Sequence, residues 1–286
     1  MKRLFTAMAA ALVLAACSNA PENRVMARAV PERADDFVFE NDLIAGRFYG
    51  EALEGNPTSP GVDIWVKLPG ALVADEWYSH AVNEDPDYYH HDHGGKDCYK
   101  VAVSLGGGAS APFIDGKICY PATNYRSYEI LSSTPDKVVF VLRYPEWEAA
   151  EGIRVSLEKE VSLSEGSYFA EVTDSWNFSG TDSLTVAAGI KLHSAQGTVQ
   201  ETLNENGRVA IWESASDQSI EPEDGMLGVA VLMDGACSFF CEELDHALCV
   251  KTIVPGETVS YSFGSCWSKG NIKTSSDWFS LVRSLM

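Results

Sequence analysis

The chain has 286 residues, 45% of them hydrophobic and 22% charged, and its 41 acidic against 21 basic side chains give a formal net charge of −20. So large an acidic excess repels phosphate backbones and anionic lipid surfaces, which excludes nucleic acid as an expected partner and counts against a polyanionic ligand unless basic groups gather locally in a cleft. The length left after a leader and tether suits one large β domain, so a second domain is not required.

At the start, Lys2 and Arg3 precede the apolar run "LFTAMAAALVLAAC", which is too short to span a bilayer as a permanent helix. The tetrad Leu14-Ala15-Ala16-Cys17 resembles the lipobox of bacterial lipoproteins. That resemblance implies a signal peptide over residues 1–16 and acylation of Cys17, with the membrane a partner through this N-terminal lipid anchor only. Ser18 stands where an aspartate would favour inner-membrane retention, so the expected location is the bacterial cell envelope, at the outer membrane on its periplasmic or surface face. Residues 17–36 are polar and punctuated by proline, and are expected to be a tether, with a single domain over 37–286.

The first candidate residues lie in "IAGRFYGEALEGNPTSPGVDIWVK" (44–67). A strand there puts Arg47 and Tyr49 on one face, the guanidinium suited to a carboxylate and the phenol to proton donation. Trp65 and Lys67 follow a Gly/Pro-rich loop as candidate substrate-binding groups. Next, "YYHHDHGGKDCYK" (88–100) packs three of the six histidines into four positions. As a strand it would place His91 and His93 on one face and His90 on the other. Two imidazoles at that spacing suit one divalent metal ion if a third ligand arrives from elsewhere; they also suit acid–base work, with Tyr99 and Lys100 beside them. "SLGGGASAPF" lacks the lysine of a phosphate loop.

Alternation of period two then recurs in "KVVFVLRY", "RVSLEKEVSL", "YFAEVTDSWNF" and "LTVAAGIKLHS", separated by turn clusters, which predicts antiparallel sheets stacked as a large sandwich, an all-β fold. In the last of these, Lys191 and His193 share a face. Trp267, near Lys269, is a further candidate platform for a sugar ring. Six cysteines besides Cys17 suggest disulfides in an oxidising compartment without fixing their pairing. One helix is predicted, at the end, capped by Ser275 or Ser276, its stripe of Trp278, Leu281, Val282 and Leu285 packing on a sheet edge.

The segments "FENDLIAGRFYGEALEGN", "SPGVDIWVK", "YHHDHGGKDCYKVAVSLGGGASA" and "FGSCWSKGNIKTSSDWFSLV" together resemble the bacterial family catalogued as domain of unknown function 4861. The middle of the chain is similar to the galactose mutarotase-like β-sandwich. The resemblance implies an exported protein of polysaccharide-degrading bacteria whose partner is an oligo- or polysaccharide, and it names no reaction. The expectation that follows is a lyase on uronate-containing glycans. Arg47, or a metal on His91 and His93, would neutralise the carboxylate; His90, His193 or Tyr99 would be the base, and Tyr49 the acid. Two alternatives stand beside it. One is a glycoside hydrolase using carboxylates among Asp92, Asp97, Asp63 and Glu51; the other is a non-catalytic binder using Trp65 and Trp267.

Overall fold

The computed structural model describes residues 23–55, 60–70, 72–194, 198–215 and 224–285, so Cys17 and its lipobox lie outside the described residues. Strands β1 (Val25–Val30), β2 (Asp36–Asn41), β3 (Ala45–Phe48), β4 (Val62–Lys67) and β5 (Gly95–Lys96) pair in that order into a five-stranded antiparallel sheet. Helix α1 (Ala74–Asn83) lies between β4 and β5. β1 corrects the tether expected over 17–36: Val25 to Val30 pair residue by residue with Asn41 to Asp36, and Val25 and Val30 are buried.

The chain continues through β6 (Ser110–Ile114), β7 (Lys117–Ile118), β8 (Ser127–Ser133), β9 (Lys137–Ala150), β10 (Ile153–Ser164), β11 (Phe169–Ser179), β12 (Leu184–Lys191), β13 (Val199–Glu205), β14 (Arg208–Ser214), β15 (Met226–Leu232), β16 (Cys237–Cys241), β17 (His246–Ile253) and β18 (Thr258–Trp267) to helix α2 (Ser275–Ser284). An eight-stranded sheet has the order β13-β14-β15-β18-β11-β10-β9-β8, and a second five-stranded sheet the order β16-β17-β12-β6-β7. Both five-stranded sheets face the eight-stranded one. Phe37 meets Phe140 at 4.6 Å and Phe39 meets Phe263 at 5.7 Å between ring centroids, and Ala187 and Leu248 join Val209 and Val229 in the same core. The expected all-β sandwich of antiparallel sheets is what forms. The loop before β6 is pressed against the large sheet at Gly108, where φ is +147° and a Cβ would lie 2.2 Å from that of Phe263.

α2 is the predicted C-terminal helix with two differences. Its N-cap is Thr274, whose side chain accepts from the Asp277 amide, and it covers the outer face of the large sheet rather than an edge. There Trp278 stacks on Phe169 at 5.4 Å. The six described cysteines are all free, which overturns the expected disulfides; Cys98, Cys249 and Cys266 are each buried as small apolar side chains.

Candidate active site

Alternation gives the first sheet two faces. Phe37, Phe39, Phe48, Val62, Ile64 and Val66 point into the sandwich, while Asp36, Glu40, Arg47, Asp63, Trp65 and Lys67 point away from it. Antiparallel sheets commonly wet such a face. Here α1 and a 3-10 turn at Tyr88–His90 close over it, and every one of those six outward side chains is buried. Glu40 fastens the roof: it accepts the Val73 and Ala74 amides at 2.8 and 2.9 Å at the start of α1, supplying the cap that Val73 lacks, and takes Lys67 Nζ at 2.6 Å. Burial raises the Glu40 carboxyl and lowers Lys67.

Arg47 is the hub beneath that roof. It donates from Nε to Asp63 Oδ2 at 2.8 Å, from Nη2 to Asp97 Oδ2 at 3.1 Å and, more loosely, from Nη1 to Asp36 Oδ2 at 3.5 Å. Its carbon lies 5.3 Å from the ring centroids of Tyr49, Trp65 and Tyr89 alike. Arg33 joins from the edge, donating to Asp36 Oδ2 at 3.1 Å and to Tyr89 Oη at 3.2 Å. Fully ionised, Asp36, Asp63 and Asp97 would set three negative charges against two positive ones. Each of the three also leaves Oδ1 buried without a donor.

Burial, and then the charge of Asp63, push the Asp97 carboxyl well above its ordinary value. A proton held there leaves two negative charges against two positive ones, so the cluster is neutral. Burial raises Asp36 as well and keeps Tyr49 and Tyr78 in the phenol form.

The cluster floors a cavity of about 210 Å³ walled by Arg33, Tyr49, Leu53, Tyr89, His90 and Tyr99. His90 Nδ1 lies 3.1 Å from the Asp97 carbonyl oxygen, which can only accept. In the neutral ring the proton is therefore on Nδ1 and the lone pair on Nε2. A larger hollow of about 490 Å³ beside β11 and β18 is lined by no histidine, arginine or lysine.

The other expected residues fall elsewhere. His193 lies past the end of β12, 1% exposed, with Nδ1 2.9 Å from Glu213 Oε1 and Nε2 2.8 Å from the Lys100 carbonyl. Nε2 donates to the carbonyl and Nδ1 faces the Glu213 carboxyl, so the ring is held from both sides. It backs the cavity wall by meeting the Tyr99 ring edge-on at 4.9 Å, and it does not join His90 as a base. The Tyr99 hydroxyl gives its proton to the Lys191 carbonyl at 2.7 Å. The three clustered histidines diverge, since the turn replaces the expected strand: His93 stacks on Tyr88 at 3.8 Å, and Tyr88 on His80 at 4.4 Å. Among the described residues no three His, Cys, Asp or Glu side chains are grouped to hold a metal ion.

Arg47 is too fully engaged to receive a substrate carboxylate, and Lys67 is sealed against Glu40. Trp65 is 0% exposed, wedged against Trp77 and Tyr78 at 5.4 Å, and Trp267 is buried with its indole N–H on the Asp224 carbonyl, so neither offers a sugar platform. Lys100 is exposed, and Lys191 pairs with Asp245 at 3.3 Å. Sequence reasoning overlooked Arg33, Asp36 and Tyr89 and gave Asp63 and Asp97 no joint role. The available signal was that the charged residues of three neighbouring strands, Asp36, Glu40, Arg47, Asp63 and Lys67, all fall on one alternating face.

A family model described as "Domain of unknown function (DUF4861)" matches residues 9–285. "Uncharacterized protein P7" of Formosa agariphila is 36% identical over 214 residues, which is 72% of this chain and 51% of the relative, so the chain spans about half the length of the curated relative it matches. Among solved structures, heparinase III aligns over 87% of this chain and 36% of its own at 8% identity and a TM-score of 0.36. A galactose mutarotase related enzyme from Lactobacillus acidophilus aligns over 80% and 97% at 10% identity and a TM-score of 0.32. A GH36 alpha-galactosidase from Geobacillus stearothermophilus aligns over 84% and 41% at 10% identity and a TM-score of 0.35. Likeness this slight carries no inference, and the architecture rests on this chain's own strand pairing.

Proposed function

We propose, for a chain that belongs to the DUF4861 family, a carbohydrate-active enzyme that cleaves the terminal residue of uronate-containing oligosaccharides by β-elimination. The carrying observation is that one cavity is lined by both an imidazole, His90, whose Nδ1 faces a carbonyl, and a buried carboxyl, Asp97, which burial and the charge of Asp63 bias toward its protonated form. Elimination needs those two groups together. His90 Nε2 takes the proton from the carbon alpha to the uronate carboxylate. The electrons of that C–H bond form the C4–C5 double bond as the C4–O bond breaks, and Asp97 returns a proton to the leaving oxygen. Tyr49, held as a phenol, is a second proton source on the wall.

The cavity is below the roughly 300–1,000 Å³ usual for small-molecule sites, which favours a single ring at a chain end over a polymer segment. Hydrolysis by opposed carboxylates is disfavoured, because that mechanism places them on either side of the scissile bond, roughly 5–9.5 Å apart, and Asp63 and Asp97 both accept from the one Arg47 guanidinium. Of the other candidates for that role, Asp92 is tied to Lys269 at 2.7 Å and Glu51 is exposed.

Incubation with pectic, alginate and ulvan-type oligosaccharides should generate the ultraviolet absorbance of a conjugated enoate. His90→Ala should lower its rate roughly 10²–10⁴-fold. Reducing ends released without absorbance would replace elimination by hydrolysis, and no change on any of these glycans would overturn the reading.

A further inference from the structure

The cavity contains two guanidiniums in different circumstances. Arg47 is 3% exposed, and all three of its nitrogens face carboxylates. The Arg33 side chain is 25% exposed and donates one hydrogen bond from each Nη, so of the five N–H groups of a guanidinium three remain after these two. Its anchor is itself divided: Asp36 Oδ2 accepts from Arg33, Arg47 and Tyr78.

The backbone that presents Arg33 is held in an unusual shape. Residues 31–35 form the β1–β2 hairpin turn, with Arg33 N donating to the Val30 carbonyl at 3.0 Å and Asp36 N to the Arg33 carbonyl at 3.2 Å. The next two residues, Ala34 and Asp35, have φ of 53° and 57°, a left-handed pair uncommon outside glycine. Two neighbours clamp them: Tyr125 Oη donates to the Asp35 carbonyl at 2.6 Å, and Gly50 packs so closely that a Cβ there would lie 1.8 Å from that same oxygen. Strain kept in place by its surroundings is found where it positions a working group. Here it holds the Arg33 head beside Tyr89 on the cavity wall.

We propose that Arg33 reads the ligand's carboxylate at the mouth of the cavity, pairing with it through N–H groups not used internally, so that the site selects a uronate over the neutral sugar of the same stereochemistry. The inference rests on the carbohydrate reading above and supplies the neutralising group that Arg47 cannot be. A planar guanidinium suits the task because it meets both carboxylate oxygens at once.

Calorimetric titration of the full chain with glucuronate against glucose, and galacturonate against galactose, tests it without requiring turnover. The wild type should bind one uronate about tenfold or more tighter than its neutral partner, the scale of a charge-assisted hydrogen bond. R33Q should bring the two together, and R33K, which keeps the charge but loses the planar fork, should fall between them. A wild type without the preference, or a folded R33Q that keeps it, overturns the role of Arg33 while leaving a carbohydrate site intact. If R33Q does not fold, the wild-type preference and R33K decide, and an R33K indistinguishable from wild type counts against the proposal. Failure of the wild type to bind any of the four sugars would remove the carbohydrate reading and this inference with it.

Discussion

Buried charge is arranged in two different ways around Arg47 and around Lys159. Lys159 Nζ donates to Asp174 Oδ1 and Oδ2 at 2.7 and 2.9 Å, and lies 2.8 Å from Tyr261 Oη and 3.3 Å from Ser110 Oγ, whose hydroxyl also bonds Asp174. It joins β10, β11 and β18 of the large sheet to β6 of the facing one. One cation meets one anion there, and Asp174 leaves no buried oxygen without a partner. Around Arg47 three carboxyls crowd two cations, each carboxyl has an unmet oxygen, and a cavity opens beside them. Both clusters are buried, so burial of charge does not distinguish a lock from a working site. Imbalance and unmet acceptors next to a cavity do.

The largest effect should come from unbalancing the lock. Asp174→Asn leaves the Lys159 ammonium buried without a counter-ion and should cost about 3–5 kcal/mol in urea unfolding, while turnover per folded molecule stays unchanged. The apolar pair K159M/D174L should recover most of that loss. Turnover abolished in D174N at undiminished stability would reverse the assignment of the two clusters.

Acid titration sets Asp97 of the Arg47 cluster against a buried histidine that belongs to neither cluster. His246, at the start of β17, accepts the Leu105 amide on Nε2 at 3.0 Å and faces the Leu244 carbonyl with Nδ1, so it is buried neutral. Burial lowers its pKa from 6.5 to about 4, with the charge of Lys191 acting in the same direction. Its contribution is complete above the unfolded value of 6.5 and is lost as pH falls through about 4, amounting to about 3 kcal/mol. Asp97 runs the other way. Its folded pKa lies above the unfolded 3.8, so its protonated form favours folding at low pH and that contribution is lost as pH rises past 3.8. Unfolding free energies measured from pH 7 down to pH 4 should show the His246 loss, and H246Q, able to donate and accept at once, should flatten it. An unchanged slope in H246Q would remove His246 as the source.

The contrast between the clusters also explains what the sequence could reveal. β10 and β11 were legible because one face of each meets core and the other water, which is what a period of two encodes, whereas β12 is buried on both faces from Val186 to Ile190. The same rule misleads on β2, β3 and β4, where Asp36, Glu40, Arg47, Asp63 and Lys67 alternate with aromatic and aliphatic residues and read as a wet face. What buries them is α1, and its sequence "ADEWYSHAVN" carries no N-cap of its own because Glu40, from β2, caps it. β1 was read as tether because "VMARAV" is short and half polar, and only pairing with β2 makes it a strand. Dense histidines drew notice by composition, whereas Arg33 sits in a turn whose left-handed residues are an alanine and an aspartate, with no glycine to announce them.

The smallest expected change in stability is the sharpest test of the comparison, because its sign is opposite to that of D174N. Asp97→Asn preserves the shape of the side chain and adds an N–H beside the unmet carboxylate oxygens. It also removes the cost of taking up a proton on folding, which the raised Asp97 carboxyl carries at pH 7. Together these should raise unfolding stability at pH 7 by about 1 kcal/mol. The amide has no proton to lend a leaving oxygen, so turnover should fall even as stability rises, the exchange expected where a site is held in an unfavourable state for its chemistry. Asp→Asn would then destabilise at 174 and stabilise at 97. If D97N instead loses several kcal/mol, the Arg47 cluster is a lock of the same kind as the Lys159 cluster, and Asp97 holds the sheet together rather than a proton in reserve.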